Sequence, residues 1–320
     1  MTHNATNFDT IDHTGQTWAE RNGGTRIDAV SPAVLTYELD GVPQLEARCI
    51  IEENSGKMLN PFISPAYDFM PYQDRFSLAD RMLEDSGLAV HNKLVSYDFP
   101  SGGGKAFRQT VLPDYTKTMR GDDTTSLRLL EWDSVDGSSP YILRAGWYSW
   151  VCANTCVAGE DIANQRHTAA GRKRTKEIDP QILAATQAAT TKVRYAKTIE
   201  AIKNAVGVYE TATDGLKELV DMRVQHEHET LDFLGMALAG ADKKKGNALA
   251  EHLHGNWAQH RKDHDNTWYD FSSVLTDYAA RGRTNNPELT PHETRLEREQ
   301  WVGVFIPKLA AYARGTGGLV

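Results

Sequence analysis

Cysteine is scarce: Cys49, Cys152 and Cys156 are the whole complement of 320 residues. An odd and sparse set excludes a disulfide framework. Long apolar runs are also missing, since no stretch approaches the ~18–20 uninterrupted apolar residues of a membrane span. The opening MTHNATNFDTIDHTGQTWAERNGG has neither the basic start nor the apolar core of a secretory signal. It reads as a flexible arm over residues 1–30. These absences point to the cytoplasm, with no membrane partner. Nor is there an excess of positive charge. With 35 Lys+Arg against 43 Asp+Glu the net charge is −8, which excludes a protein coated in basic surface. What is present, 40% hydrophobic and 24% charged residues, is ordinary for a globular chain and too apolar for a disordered one.

The charge is unevenly spread. Residues 1–160 carry 13 basic and 22 acidic side chains, whereas residues 161–320 carry 22 and 21. Within the second half, residues 165–206 hold nine Lys/Arg against three acids. Screening confines such interactions to ~8–10 Å, so a local patch matters more than the total.

The pattern along the chain predicts an α+β fold. A mostly antiparallel sheet domain with a short helix occupies 31–178, and a helical domain with one long helix occupies 179–320. Strand-like runs cover 45–51, 93–99, 105–112, 126–132 and 141–147. Apolar residues at 76, 79, 82 and 83 predict a short amphipathic helix. Gly102-Gly103-Gly104 lacks the Gly-Lys-Ser/Thr ending of a phosphate loop and reads as a hairpin tip. From Ile182, apolar or small residues recur at 185, 189, 193, 196, 199, 202, 206, 209, 213, 216 and 220, which predicts one buried stripe along a long helix. Gly207 and Gly215 are places where it can bend or divide, and its Ala/Thr-rich face suits a homo-oligomer seam as well as packing within the chain. Further helices are expected at 227–239, about 246–280 and 292–314.

Three segments, in order, resemble a family of phage, prophage and plasmid proteins, domain of unknown function 932. The first is Asp133-Ser134-Val135-Asp136-Gly137-Ser138-Ser139, continuing through Arg144-Ala145-Gly146 to Val151-Cys152-Ala153-Asn154, similar to the family's "DSHDGS…aG…VCsNG". Val135 stands where the usual residue is His, and Thr155 where it is Gly. The second is Arg166-His167-Thr168, similar to "RHTG". The third is Asn266-Thr267-Trp268-Tyr269 leading to Leu275-Thr276, similar to "GTaW…NAvTey". Ser64-Pro65-Ala66-Tyr67 adds a weaker match. The resemblance implies a mobile-element setting in a host cell's cytoplasm and names no chemistry. With His absent, proton transfer or metal binding at position 135 loses its basis.

Several constellations compete for function. Asp133 and Asp136 around Gly137 fit a tight turn. The same carboxylates, with Ser134, Ser138, Asn154 and His167, also supply pieces of a metal-dependent hydrolase, though at no established spacing. Cys152 and Cys156 have no second Cys pair to complete a zinc site and read as core. Six histidines fall close together, at 226, 228, 252, 254, 260 and 264. His260 and His264 are spaced to share a helix face. Whether any metal is bound stays open, and no cofactor is expected.

The basic set Arg166, Arg172, Lys173, Arg174, Lys176, Lys192, Arg194 and Lys197, near Trp147, Tyr148, Trp150 and Tyr195, matches the chemistry of a single-strand groove, with cations for phosphates and rings for bases. The leading expectation is therefore a non-enzymatic accessory protein that binds nucleic acid, single-stranded DNA in replication or recombination. The alternatives are a host-protein-binding inhibitor of a defence system, motivated by the acidic first half, and the hydrolase.

Overall fold

The computed structural model describes residues 30–35, 38–39, 42–43, 47–52, 56–63, 69–99, 103–150, 155–157, 163–165, 180–239, 242–260, 265–282 and 291–315. The N-terminal arm lies outside them up to residue 29. The fold is α+β, with antiparallel sheets early in the chain and helices late. Strands β1 (Val30–Leu35), β2 (Glu38–Leu39), β3 (Val42–Pro43), β4 (Ala47–Glu52) and β5 (Met58–Ile63) form two small sheets, β1-β4-β5 and β2-β3. In the first, Val30 lies opposite Glu52 and Leu35 opposite Ala47. The main sheet follows, from β6 (Leu94–Asp98), β7 (Lys105–Arg120), β8 (Asp123–Ser134), β9 (Tyr141–Ser149), β10 (Thr155–Val157) and β11 (Ala163–Gln165). Its order is β10-β9-β8-β7-β6, with β11 also on β9.

The expected strand over 105–112 continues through Pro113 to Arg120, and its partner begins at Asp123. Gly121 and Asp122 connect them, Gly121 at φ +55, a conformation that glycine adopts without steric cost. The first eight residues of β7 are all buried, and the strand then alternates. That change of pattern, together with a proline that normally marks an edge or an end, hid the extension.

Helix α1 (Tyr72–Asp85) contains the predicted 76–83 segment. Helix α2 (Pro180–Glu218) runs unbroken through Gly207 and Gly215, and α3 (Glu227–Ala239) has the expected bounds. The single region expected at 246–280 is two helices, α4 (Lys243–His260) and α5 (Trp268–Arg281). Helix α6 (Pro291–Ala313) completes the described helices.

The buried stripe of α2 needs a correction. Thr198, Ile202, Ala205, Tyr209, Thr213 and Leu216 are buried, but Val193 and Ala196 are exposed. Each three-residue step turns about 300°, so the three in a row from 193 to 202 swing the stripe by about 180°. Val193 therefore lies on the face opposite Ile202.

The chain forms two compact units that interleave in sequence. One runs to Thr110 and adds Leu129–Arg144 and Asp161–Ala205; the other comprises Val111–Arg128, Ala145–Glu160 and the chain from Val206 onward. Strands β7, β8 and β9 and helix α2 contribute residues to both. In the first unit a core cluster gathers Ile50, Ile63, Tyr72, Phe76, Phe99, Ala106 and Val135. In the second, β10 lies so close to Gly146 and Gly303 that a Cβ at either would meet its backbone. Cys156, within β10, is fully buried and free, as is Cys49 in the first unit. Cys152 lies outside the described residues.

Candidate functional site

The first motif builds the end of the β8–β9 connection. Successive side chains of a strand alternate faces, so Glu131 and Asp133 share the face of β8 that meets α1. Asp133 accepts from Arg75 Nε at 3.1 Å and from the Ser134 N–H at 3.0 Å. Beyond it, Ser134 Oγ donates to Ser139 O at 2.7 Å and accepts the Ser139 N–H at 3.0 Å, closing the loop at its base. Asp136 accepts the Ser138 N–H at 2.8 Å while Gly137 takes φ +78, the geometry of an Asx turn. Val135 and Asp136 both donate to Gly104 O, and Tyr72 Oη donates to Gly103 O. Gly103 and Gly104 are thus seated against the motif, and a Cβ on Gly104 would crowd Asp136. Val135 itself is core, which accounts for an apolar side chain there.

A polar chain continues behind the loop. The Arg75 guanidinium lies 5.1 Å above the Tyr141 ring, and Tyr141 Oη donates to Glu131 at 3.3 Å. Arg108 bonds Glu131 at 3.0 Å and also Asp80, which Lys93 reaches at 2.5 Å. Burial opposes the Arg108 charge, but Glu131 and Asp80 outweigh it and hold the guanidinium protonated. Burial pushes Glu131 up against the pull of Arg108, and drives the Tyr141 phenol well up, so Tyr141 remains a donor. Three cations and three carboxylates are matched, which is what buried charge requires. Both signature carboxylates are engaged in holding the fold. Asn154 and His167 lie outside the described residues.

Asn266 and Thr267 belong to the other unit, where they start α5. Asn266 has φ +58, a left-handed conformation that Gly or Asn tolerates. Its amide donates to Glu227, and its carbonyl accepts the Val224 N–H at 2.8 Å. Thr267 forms a capping box with Asp270, the arrangement that satisfies free N–H groups at a helix start. Arg120, at the end of β7, reaches Asp270 at 2.6 Å and stacks over the Tyr269 ring, whose hydroxyl donates to Asp123 at 2.5 Å. Although burial pushes the Asp270 carboxyl up, the bonds from Arg120 and Thr267 outweigh it and hold it below the usual value.

The cationic set divides. Arg166, Arg172, Lys173, Arg174 and Lys176 lie outside the described residues. Lys192 and Lys197 are exposed and Arg194 is half-buried. Lys203, counted in the basic stretch but not singled out from sequence, is also exposed. At 100° per residue, Lys192, Lys197 and Lys203 fall in an arc of about 140° centred near Val193, with Glu200 the acid among them. Val193 is 55% exposed. The expected ring platform on β9 does not form: Trp147 and Tyr148 are interred, and Trp150 Nε1 is held by Ser126 Oγ at 2.7 Å. Trp and Tyr on a strand buried along its length serve the core. Tyr195 donates to Asp85 at 2.6 Å, tying α2 to the end of α1.

Of the histidines, His260 and His264 lie outside the residues whose side chains are described, whereas His228 and His254 meet at Asp232 in the second unit. Asp232 was missed from sequence. Its signal was the His228–Asp232 spacing of four within the predicted 227–239 helix. Among the described residues no helix is long and apolar enough to cross a membrane.

A family model described as "Domain of unknown function (DUF932)" matches residues 62–301, three quarters of the chain. No curated protein and no solved structure matches it.

Proposed function

Because the chain belongs to the DUF932 family, whose description states no activity, we propose a function from its own surface: it binds nucleic acid without turnover, through the middle of α2, as an accessory protein of a mobile element. The observation that carries this reading is the exposed face of Lys192, Lys197 and Lys203, set in a segment dense in cations within an acidic chain. Exposed lysines contact phosphates as point charges and carry no base readout, so the binding is sequence-tolerant. With the strand rings interred, single strands are held by phosphate contacts more than by stacking. The mobile-element setting rests on the motif resemblance.

The engagement of Asp133 with Arg75, and of Asp136 with its own turn, supports a structural part for the signature loop over a hydrolytic one. Fluorescence anisotropy with a labelled single-stranded oligonucleotide tests the proposal. The wild-type chain binds, and the Lys192→Ala/Lys197→Ala/Lys203→Ala variant binds at least about tenfold more weakly, three phosphate contacts being worth more than ~1.4 kcal/mol at low salt. Equal affinity of the two proteins would refute it.

A further inference from the structure

We propose that His228, Asp232 and His254 form an open site for a divalent transition metal of the zinc class, independent of the nucleic-acid reading. Helices α3 and α4 pack antiparallel at close range because Gly235 lies directly on the Ala250 backbone and Gly246 beside Met236. That register sets residue 232 opposite residue 254, and Trp257 Nε1 donates to Glu227 at 3.1 Å one turn further on. His228 and Asp232 are four residues apart on α3 and so share a face.

The three ligand atoms lie within 4.8 Å of one another. His254 Nε2 is 2.8 Å from Asp232 Oδ1, and His228 Nε2 is 3.9 Å from Asp232 Oδ2. The two imidazole rings are 4.2 Å apart, centroid to centroid. Ligands placed ~2.0–2.1 Å from a tetrahedral ion stand roughly 3.3 Å from each other. Modest rotamer adjustments therefore suffice to close the set, exchanging the His254–Asp232 hydrogen bond for two bonds to the ion.

Two imidazoles and one carboxylate suit zinc, nickel or copper and disfavour magnesium and calcium, which require oxygen. The group opens onto a surface cavity of about 400 Å³ that Asn247 and Glu251 also line. A fourth position is thus open to water or an exogenous ligand, as in zinc sites that are not purely structural. Bound metal would clamp α3 to α4.

Calorimetric titration of chelator-treated full-length protein with Zn²⁺ tests the site. One equivalent binds and the thermal midpoint rises, because a ligand of the folded state stabilises it. His228→Ala, Asp232→Ala and His254→Ala each weaken binding at least about a hundredfold, since even outer-shell changes cost roughly 10–100-fold. His226→Ala changes nothing, and Mg²⁺ does not substitute. Zinc also shields His228 and His254, but not His226, from diethyl pyrocarbonate in the unmutated chain, a readout that survives if a variant misfolds. Absence of binding, undiminished binding in the three variants, equal affinity for Mg²⁺, or no selective shielding would each overturn the proposal.

Discussion

At the scale of single residues, the molecule depends on carboxylates that satisfy buried or half-buried arginines. Asp133 is the example in the first unit. Its removal leaves Arg75, with a side chain only 12% exposed, without that ion pair and frees the Ser134 N–H. Asp133→Ala should destabilise the protein by about 3 kcal/mol, since breaking one side of a buried pair costs more than the pair contributes. Oligonucleotide affinity should be unchanged at temperatures where the variant is folded. Denaturant unfolding and anisotropy together check this, and loss of binding in a folded variant would move the loop into the interface.

Asp270 gives the pH dependence in the second unit. Its carboxyl is held below the usual 3.8. A depressed folded value means that the ionised form adds stability above about pH 4, and that this increment is lost as pH falls through the folded value. Asp270→Asn should therefore be less stable near neutrality by about 1–2 kcal/mol, the size of a lost cap. The gap to wild type should narrow below pH 4. Thermal melts across pH 2–7 read it, and a constant gap would contradict the assignment.

At the scale of elements, the helices were legible wherever their apolar spacing matched 3.6 residues per turn. Helix α3 has the bounds that the pattern gave, and α1 contains its predicted core. The α4–α5 break was not legible, because it depends on a left-handed Asn266 and on a cap whose partner, Arg120, is 150 residues away. Close helix contacts were equally hidden, since a glycine inside a helix signals nothing until its neighbour is known. Gly235→Ala gains intrinsic helix propensity, yet its Cβ would stand 2.6 Å from the Ala250 nitrogen. A net destabilisation of about 1–3 kcal/mol is expected, as for overpacked cores. A neutral or stabilising result in urea would show that α3 and α4 separate freely.

At the scale of the whole molecule, the sequence placed sheet before helix and an acidic first half before a cation-rich stretch. The distinction between buried and surface aromatics lay beyond it, because Trp147 and Tyr148 alternate on a strand that is covered on both faces. Lys203 was missed for the related reason that a charge acquires a face only once its helix is rotated against a core. The account rests on the exposed α2 lysines acting as a phosphate-binding surface, and the slope of log K against log salt for single-stranded oligonucleotide binding measures that directly. Each contacted phosphate contributes about −0.7 to the slope on single strands. Replacing Lys192, Lys197 and Lys203 by Ala should therefore flatten the wild-type slope by about 2. A slope that is already flat, or one that the triple variant leaves unchanged, would contradict the account.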